Sequence, residues 1–461
     1  MSQALLAPGA DAIPVHLVSE TGWDTLQNAL APIERGFASA SGFAPKAGRL
    51  ALLPAEDGSL ARVLFGLGDP SAVTFDRFLT GKLPGLLPAG DYRLLPAEGT
   101  DPAEAALAWL LGSYKFERYR KPGPARPRLV APDGVDATRI ERIAAAVAAG
   151  RDLINTPSND LGPAEIEAAI RGLGERFNAT VSVVTGEALR TEFPLVHAVG
   201  AASPRVPRLI DLTWGPEGAP RVTLVGKGVV FDTGGLDIKP SAGMLLMKKD
   251  MGGAAAALAA AEMIMGDDLP IRLRLIVPSV ENAISGEAFR PGDVIRSRAG
   301  LTVEIGNTDA EGRLILADAL ALAEADEPEL LIDFATLTGA ARVALGPDLP
   351  AFFTGDEGLA RAVAEAGAKV HDPVWRLPLH PPYASLLDSK IADLNNVSGG
   401  PFAGAITAAL FLRRFAPKTG AHLHFDLYGW NPSSKPGRPE GGEVQTARLV
   451  HALVADRYGA A

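Results

Sequence analysis

What most constrains this chain is a regular exchange, beyond residue 155, between short apolar runs and longer stretches patterned for helix. Ala179 to Val184, Arg208 to Leu212, Arg221 to Val225, Ile271 to Val277 and Leu330 to Phe334 have the length and apolar content of buried strands. Between them, Pro163 to Arg176, Gly253 to Met265 and Arg313 to Ala325 repeat apolar residues at helical spacing. Such alternation builds an α/β sandwich, with helices covering both faces of a mixed, mostly parallel central sheet. At 461 residues the chain exceeds one ordinary core, so two domains are expected. Residues 1–134 form a smaller N-terminal α/β domain, with strands at Arg49 to Leu53 and Arg62 to Gly68 and a helix at Pro102 to Leu111. Within it, the proline cluster of Lys121 to Pro132 reads as a linker. Residues 135–155 read as one long connecting helix, closed by Asn155-Thr156-Pro157, and 156–461 as the larger domain.

Several classes are excluded or disfavoured. Cysteine is absent, which removes disulfides and thiolate metal sites. The opening MSQALLAPGADAIPVH has no basic region ahead of an apolar core, so it does not read as a signal peptide. No apolar run reaches the roughly 18 residues of a membrane span, and the Ala-rich Gly253 to Ala261 is ended by Glu262. A cytoplasmic protein is expected. The net charge of −10 disfavours a nucleic-acid surface, and the one dense basic segment, Arg118 to Arg128, reads better as a solvated linker.

The chemistry concentrates in two clusters. Asn307-Thr308-Asp309-Ala310-Glu311-Gly312-Arg313-Leu314 places two carboxylates and a guanidinium at alternate positions before an apolar helix. Upstream stand Lys227, Asp232, Lys239 and Asp250. Gly226-Lys227-Gly228 lacks the spacing and the Lys-Ser/Thr ending of a phosphate-binding P-loop. Taken singly, Asp250, Asp309 and Glu311 could each be helix caps, favoured by the helix dipole. Taken together, four acids at strand ends and helix starts would gather along the carboxyl edge of one sheet, where such folds place their sites. Four carboxylates also balance two divalent cations, and hard oxygen ligands suit Mg²⁺ or Mn²⁺ and tolerate Zn²⁺. Gly312 is expected to permit a turn that brings Asp309 and Glu311 onto one ion. The reading is a metal-dependent hydrolase.

These motifs resemble the leucine aminopeptidase family of cytosolic dinuclear-metal exopeptidases, peptidase family M17. The likeness rests on GKGVVFDTGG, DIKPSAGM, MKKDMGGAAA and NTDAEGRL, with RDLINTPSN, SVENAISGEAFRPGDV, DFATLTGA and FAGAITAALFL, from about Arg151 onward. It implies hydrolysis of N-terminal peptide bonds by a hydroxide between two metal ions, either Mn²⁺ or Zn²⁺, with Mg²⁺ also considered. Asp232 and Glu311 would bridge the ions, Asp309 would complete one, and Lys227 and Asp250 the other. As a ligand Lys227 must be neutral, with its pKa depressed by the ions. Lys239 and Arg313 match the two catalytic cations, and Arg313 would anchor a bicarbonate. The resemblance further implies peptide substrates, a homohexamer, and an oligomerising or regulatory N-terminal domain.

The side-chain pocket of the family corresponds to Met247, Thr336, Leu337, Gly339, Tyr428 and Asn431. Tyr428 departs from the family, which usually has alanine there, so a preference other than leucine is expected. His422 and His424 alternate in one strand and could suggest a metal pair, but one of them reads better as a core or sheet-edge histidine. The rivals are a phosphate-ester hydrolase using the same metals and a DNA-binding regulator on an aminopeptidase scaffold, the latter disfavoured by the acidic charge.

Overall fold

The computed structural model describes residues 4–121, 123–416 and 418–459. The first three residues, which belong to the opening segment expected not to be a signal peptide, and one proline of the expected linker lie outside these. The chain divides into two compact units, one made of residues up to Ala148 together with Ser433–Glu440, the other of Ala149–Pro432 and Gly441–Ala461.

In the first unit, five strands form one sheet in the order β2-β3-β1-β4-β5: β1 (Ile13–Ser19), β2 (Leu50–Pro54), β3 (Leu60–Gly68), β4 (Asp91–Leu95) and β5 (Arg128–Leu129). Val15, Val63, Leu64, Phe65, Tyr92 and Trp109 are wholly buried there. The helix Pro102–Gly112 begins where Asp101 accepts hydrogen bonds from the amides of Ala103 (2.8 Å) and Glu104 (3.3 Å). Part of the expected linker is sheet: β5 pairs in parallel with Asp91 and Tyr92. Arg128 is tied to Asp91 at 2.7 Å and Arg126 to Glu117, so the basic segment is partly neutralised by its own neighbours.

The second unit carries β6 (Thr180–Thr185), β7 (Arg208–Trp214), β8 (Arg221–Gly226), β9 (Gly228–Asp232), β10 (Arg272–Asn282), β11 (Val294–Arg296), β12 (Thr302–Glu304), β13 (Leu330–Ala335), β14 (Ala351–Phe353), β15 (Trp375–Arg376), β16 (Leu394–Asn395) and β17 (His422–Asp426). A nine-stranded sheet runs β15-β14-β17-β13-β8-β10-β7-β6, with β9 continuing beside β10. Its middle strands β17, β13, β8, β10 and β9 are parallel, while β7 runs against both β10 and β6, and β14 runs against β17 but parallel to β15. β11, β12 and β16 form a separate small sheet. The central strands are buried on both faces, as parallel strands under helices must be. The helices Gly252–Gly266 and Glu311–Glu324 are buried along most of their length, so the carboxyl ends of the parallel strands meet two deeply seated helix starts. The second helix begins at Glu311, two residues before the expected start near Arg313.

Candidate metal centre and substrate cleft

Because the middle strands are parallel, their last residues emerge on one edge. β8 delivers Lys227, β9 ends on Asp232, β10 on Asn282, β13 leads into Thr336, and β17 ends on Asp426. Asp250 comes from a 3₁₀ turn, Met247–Met251, that precedes the helix Gly252–Gly266. After Asp232 the chain turns sharply through Gly234 and Gly235, both in the left-handed region (φ 89° and 65°). That reversal returns Lys239, whose amide bonds the Thr233 carbonyl at 2.9 Å.

The sequence-selected acids and cations meet here. One oxygen from each of Asp232, Asp309 and Glu311 lies within 4.8 Å of the others. Lys227 Nζ stands 2.7 Å from Asp250 Oδ2 and 3.0 Å from Glu311 Oε1, and donates to the Thr336 carbonyl at 3.0 Å. Lys239 Nζ is 2.7 Å from Asp232 Oδ2 and also bonds Asp309. Gly312 has a different role from the expected turn. A Cβ there would fall 2.4 Å from Lys227 Cε, so glycine makes room for that side chain inside a regular helix.

The electrostatics follow from crowding. Burial, with Asp232 adding to it, lifts Asp309 to about 6 and raises Glu311 well above the usual range. The depressed value expected for Lys227 requires bound cations. With carboxylates around it, burial lowers its pKa but Asp250, Glu311 and Asp232 more than offset that, and the shift is upward. Lys239 behaves alike, burial being outweighed by Asp232 and Glu311. Burial pulls Arg313 down to about 10 and Lys249 to about 8.

Asp250 Oδ2 and Glu311 Oε1 are buried yet receive no aligned hydrogen bond, although Lys227 is near both. With Lys227 the one cation beside these two oxygens among the described residues, and the Asp232, Asp309 and Glu311 oxygens within 4.8 Å of one another, the set is oxygen-rich and fits divalent cations. Arg313 donates from Nη1 to the Asn396 carbonyl at 2.6 Å, while its buried Nε has no hydrogen-bond partner among the described residues, a donor that fits a small oxyanion.

Supporting residues that the sequence reading did not select hold this set in place. Asn282 donates to Asp232 Oδ1 at 2.8 Å and to the Thr308 carbonyl at 3.2 Å. Thr308 bonds the Gly234 carbonyl (2.6 Å) and accepts from the Asp237 amide (2.9 Å), which locks the Asp309 loop against the Asp232 turn. Asn396 accepts from the Gly306 amide at 2.8 Å and donates to the Asn307 carbonyl at 2.7 Å. Asp426 accepts from the Leu337 and Thr338 amides, both at 3.1 Å, and from the Thr338 hydroxyl at 2.6 Å.

The cleft over these groups has a volume of about 530 Å³. Met247, Thr336, Leu337, Gly339 and Tyr428 line it, together with Lys249 and Arg342, which the sequence reading passed over. Asn431 does not line it: its amide is buried and donates to Glu443 at 2.9 Å. His422 and His424 share Asp333 at 2.8 and 2.5 Å in the core. A larger groove of about 1300 Å³ beside Arg298 and Arg414 contains none of the selected residues, and its lining mixes cations with Glu192, Glu324 and Glu327.

A mostly parallel sheet that gathers acids and lysines at its carboxyl edge, with a substrate-sized cleft above them, defines a metal-dependent hydrolase. The chain belongs to the cytosol aminopeptidase family: residues 148–454 match its catalytic domain and residues 13–132 match the M17 aminopeptidase N-terminal domain. It is accordingly a metal-dependent aminopeptidase. It is 39% identical over 383 residues to a probable cytosol aminopeptidase of Caulobacter vibrioides, covering 79% of this chain and 77% of the relative. The crystal structure of a cytosol aminopeptidase from Coxiella burnetii superposes with a TM-score of 0.94 at 46% identity, over 98% of this chain and 99% of that one. The bottromycin maturation enzyme BotP in complex with Mn gives 0.88 at 31%, over 97% and 100%. No helix among the described residues is long and apolar enough to cross a membrane.

Proposed function

We propose that this cleft removes single residues from the free N-terminus of peptides, with Asp232, Asp250, Asp309, Glu311 and Lys227 holding two divalent cations. Mn²⁺ or Zn²⁺, or alternatively Mg²⁺, would supply an activated water and Lewis acidity toward the scissile carbonyl. The observation that carries the reading is the convergence of one oxygen each from Asp232, Asp309 and Glu311 within 4.8 Å of one another, beside buried Lys227 and Asp250 and lining a cleft of substrate size.

The protein's own groups take the remaining roles. Asp250 accepts a hydrogen bond from the substrate's α-amine, which selects an N-terminal residue. Thr336, donating to Asp250 Oδ1 at 2.8 Å, fixes that carboxylate's orientation. Lys239, already poised over Asp232 and Asp309, donates to the oxyanion that develops on the scissile carbonyl. The unused Nε of Arg313 suits a bicarbonate, which would supply a proton-carrying base beside the reacting atoms. Thr336, Leu337 and Met247 exclude water from the side-chain pocket.

The assay is release of p-nitroaniline from amino-acid p-nitroanilides and cleavage of dipeptides, each compared with its N-acetylated form. Hydrolysis confined to free amines supports the reading, and equal cleavage of the acetylated peptides refutes it. Intracellular peptide turnover in the cytoplasm and a homohexamer belong to the same reading. Light scattering at six times the chain mass would support the assembly.

A further inference from the structure

Resting on the aminopeptidase reading, we infer that the side-chain pocket is built for an acidic N-terminal residue, whose carboxylate is received by Lys249 and Arg342, the two cations packed against Tyr428. The Tyr428 ring contacts both cations: Lys249 Nζ lies 5.0 Å from its centroid and the Arg342 guanidinium 4.8 Å. All three side chains line the cleft that holds the metal-ligating acids.

Lys249 is only 5% exposed, yet among the described residues its ammonium makes no hydrogen bond or ion pair. Its acidic neighbours are committed elsewhere. Asp250 faces Thr336 and Lys227, and both oxygens of Asp426 are taken by Leu337 and Thr338. Arg342, on the helix Gly339–Leu345 at the rim, likewise has no carboxylate partner, and the Tyr428 hydroxyl has no partner among the described residues.

A buried ammonium whose close contact is a ring, with Asp250 and Asp426 nearby but already paired, is poorly compensated, since cation-π attraction replaces a small part of lost hydration. A leucine side chain would seal it under hydrocarbon and leave it unpaired. An aspartate or glutamate side chain would bring the missing counter-charge, with the phenol as an added donor and Arg342 closing from solvent. A lysine or arginine side chain would be repelled. The Tyr428 backbone, held through its amide by Gln445 at 3.1 Å, keeps the ring at this position.

The test compares kcat/KM for Glu-, Asp-, Leu- and Lys-p-nitroanilide on the Mn²⁺-loaded protein, in wild type and in Lys249→Met and Arg342→Gln. Wild type should favour the acidic substrates over leucine by about 10-fold or more, the scale of one charge-assisted hydrogen bond. Lys249→Met should cut the acid-to-leucine ratio by about 10–100-fold, chiefly through KM, and the exposed Arg342→Gln by less. Using the ratio cancels any general loss from disturbing Asp250. Leucine turnover with no acidic preference in wild type, or a ratio unmoved in Lys249→Met, overturns the pocket assignment and leaves the aminopeptidase reading standing. Calorimetric binding of free L-glutamate against L-leucine decides the pocket separately. Tighter glutamate binding that Lys249→Met abolishes supports it even if every p-nitroanilide is inert, a result that would sink the activity alone. Leucine binding as tightly as glutamate overturns it.

Discussion

Gly312→Ala is a one-carbon change whose outcome separates the proposed centre from an ordinary helix. Its Cβ would sit 2.4 Å from Lys227 Cε, 2.7 Å from Nζ and 2.8 Å from Cδ, and restoring a 3.4 Å contact moves the lysine by about 1 Å. Lys227 is 3% exposed and wedged between Asp250, Glu311 and the Thr336 carbonyl, so that shift breaks its contacts. At an open helical site, replacing glycine by alanine stabilises by about 1 kcal/mol. Here overpacking costs about 1–3 kcal/mol, so the net change is a loss of about 0–2 kcal/mol. The melting temperature should fall by no more than about 5 °C. Function should suffer far more: about 10–100-fold weaker Mn²⁺ binding by calorimetry, and a loss of roughly 10²-fold in kcat from a 1 Å misplacement. A variant that binds Mn²⁺ and turns over like wild type would refute the role given to Lys227.

Lys239→Ala should lower kcat by about 10²–10³-fold while two Mn²⁺ ions remain bound, as measured by kinetics and metal analysis; unchanged turnover removes Lys239 from the oxyanion role. Asp333→Asn should destabilise by about 3–5 kcal/mol, because it strips a buried counter-charge from His424, and calorimetry reads the lowered transition. The pH dependence has a definite sign. Burial opposes both charges of this pair, but mutual attraction wins, so His424 is raised and Asp333 lowered. The His424 contribution is present in full below about 6.5 and fades as pH rises through its raised value, while that of Asp333 fades as pH falls below about 4. The urea midpoint of wild type should therefore decline on the alkaline side more than that of Asp333→Asn, and parallel curves would contradict the pairing.

The central strands and the acids were legible in the sequence for the same reason. Apolar runs such as Arg221 to Val225 and Leu330 to Phe334 announce buried strands, and when strands are parallel the residues that end them must converge. The reversed direction of β7 and β14 was not legible, since a strand's pattern does not record its orientation. Asn282, Thr308 and Asn396 escaped notice because Asn and Thr at strand ends and turns ordinarily bond nearby backbone, and only the fold reveals which distant carbonyl each one meets. Gly312 was noticed for the wrong reason: glycine before a helix suggests a turn, whereas the constraint is a lysine arriving from another strand. In Lys248-Lys249-Asp250 a second lysine reads as solvated charge, and its burial against Tyr428 depends on a distant segment.

Metal dependence with a defined stoichiometry tests the account most directly. The protein is stripped with chelator, Mn²⁺ is returned in steps, and p-nitroanilide hydrolysis is followed alongside bound metal. The account predicts background activity after stripping and recovery that saturates at two ions per chain. Activity that survives complete removal of metal would contradict it.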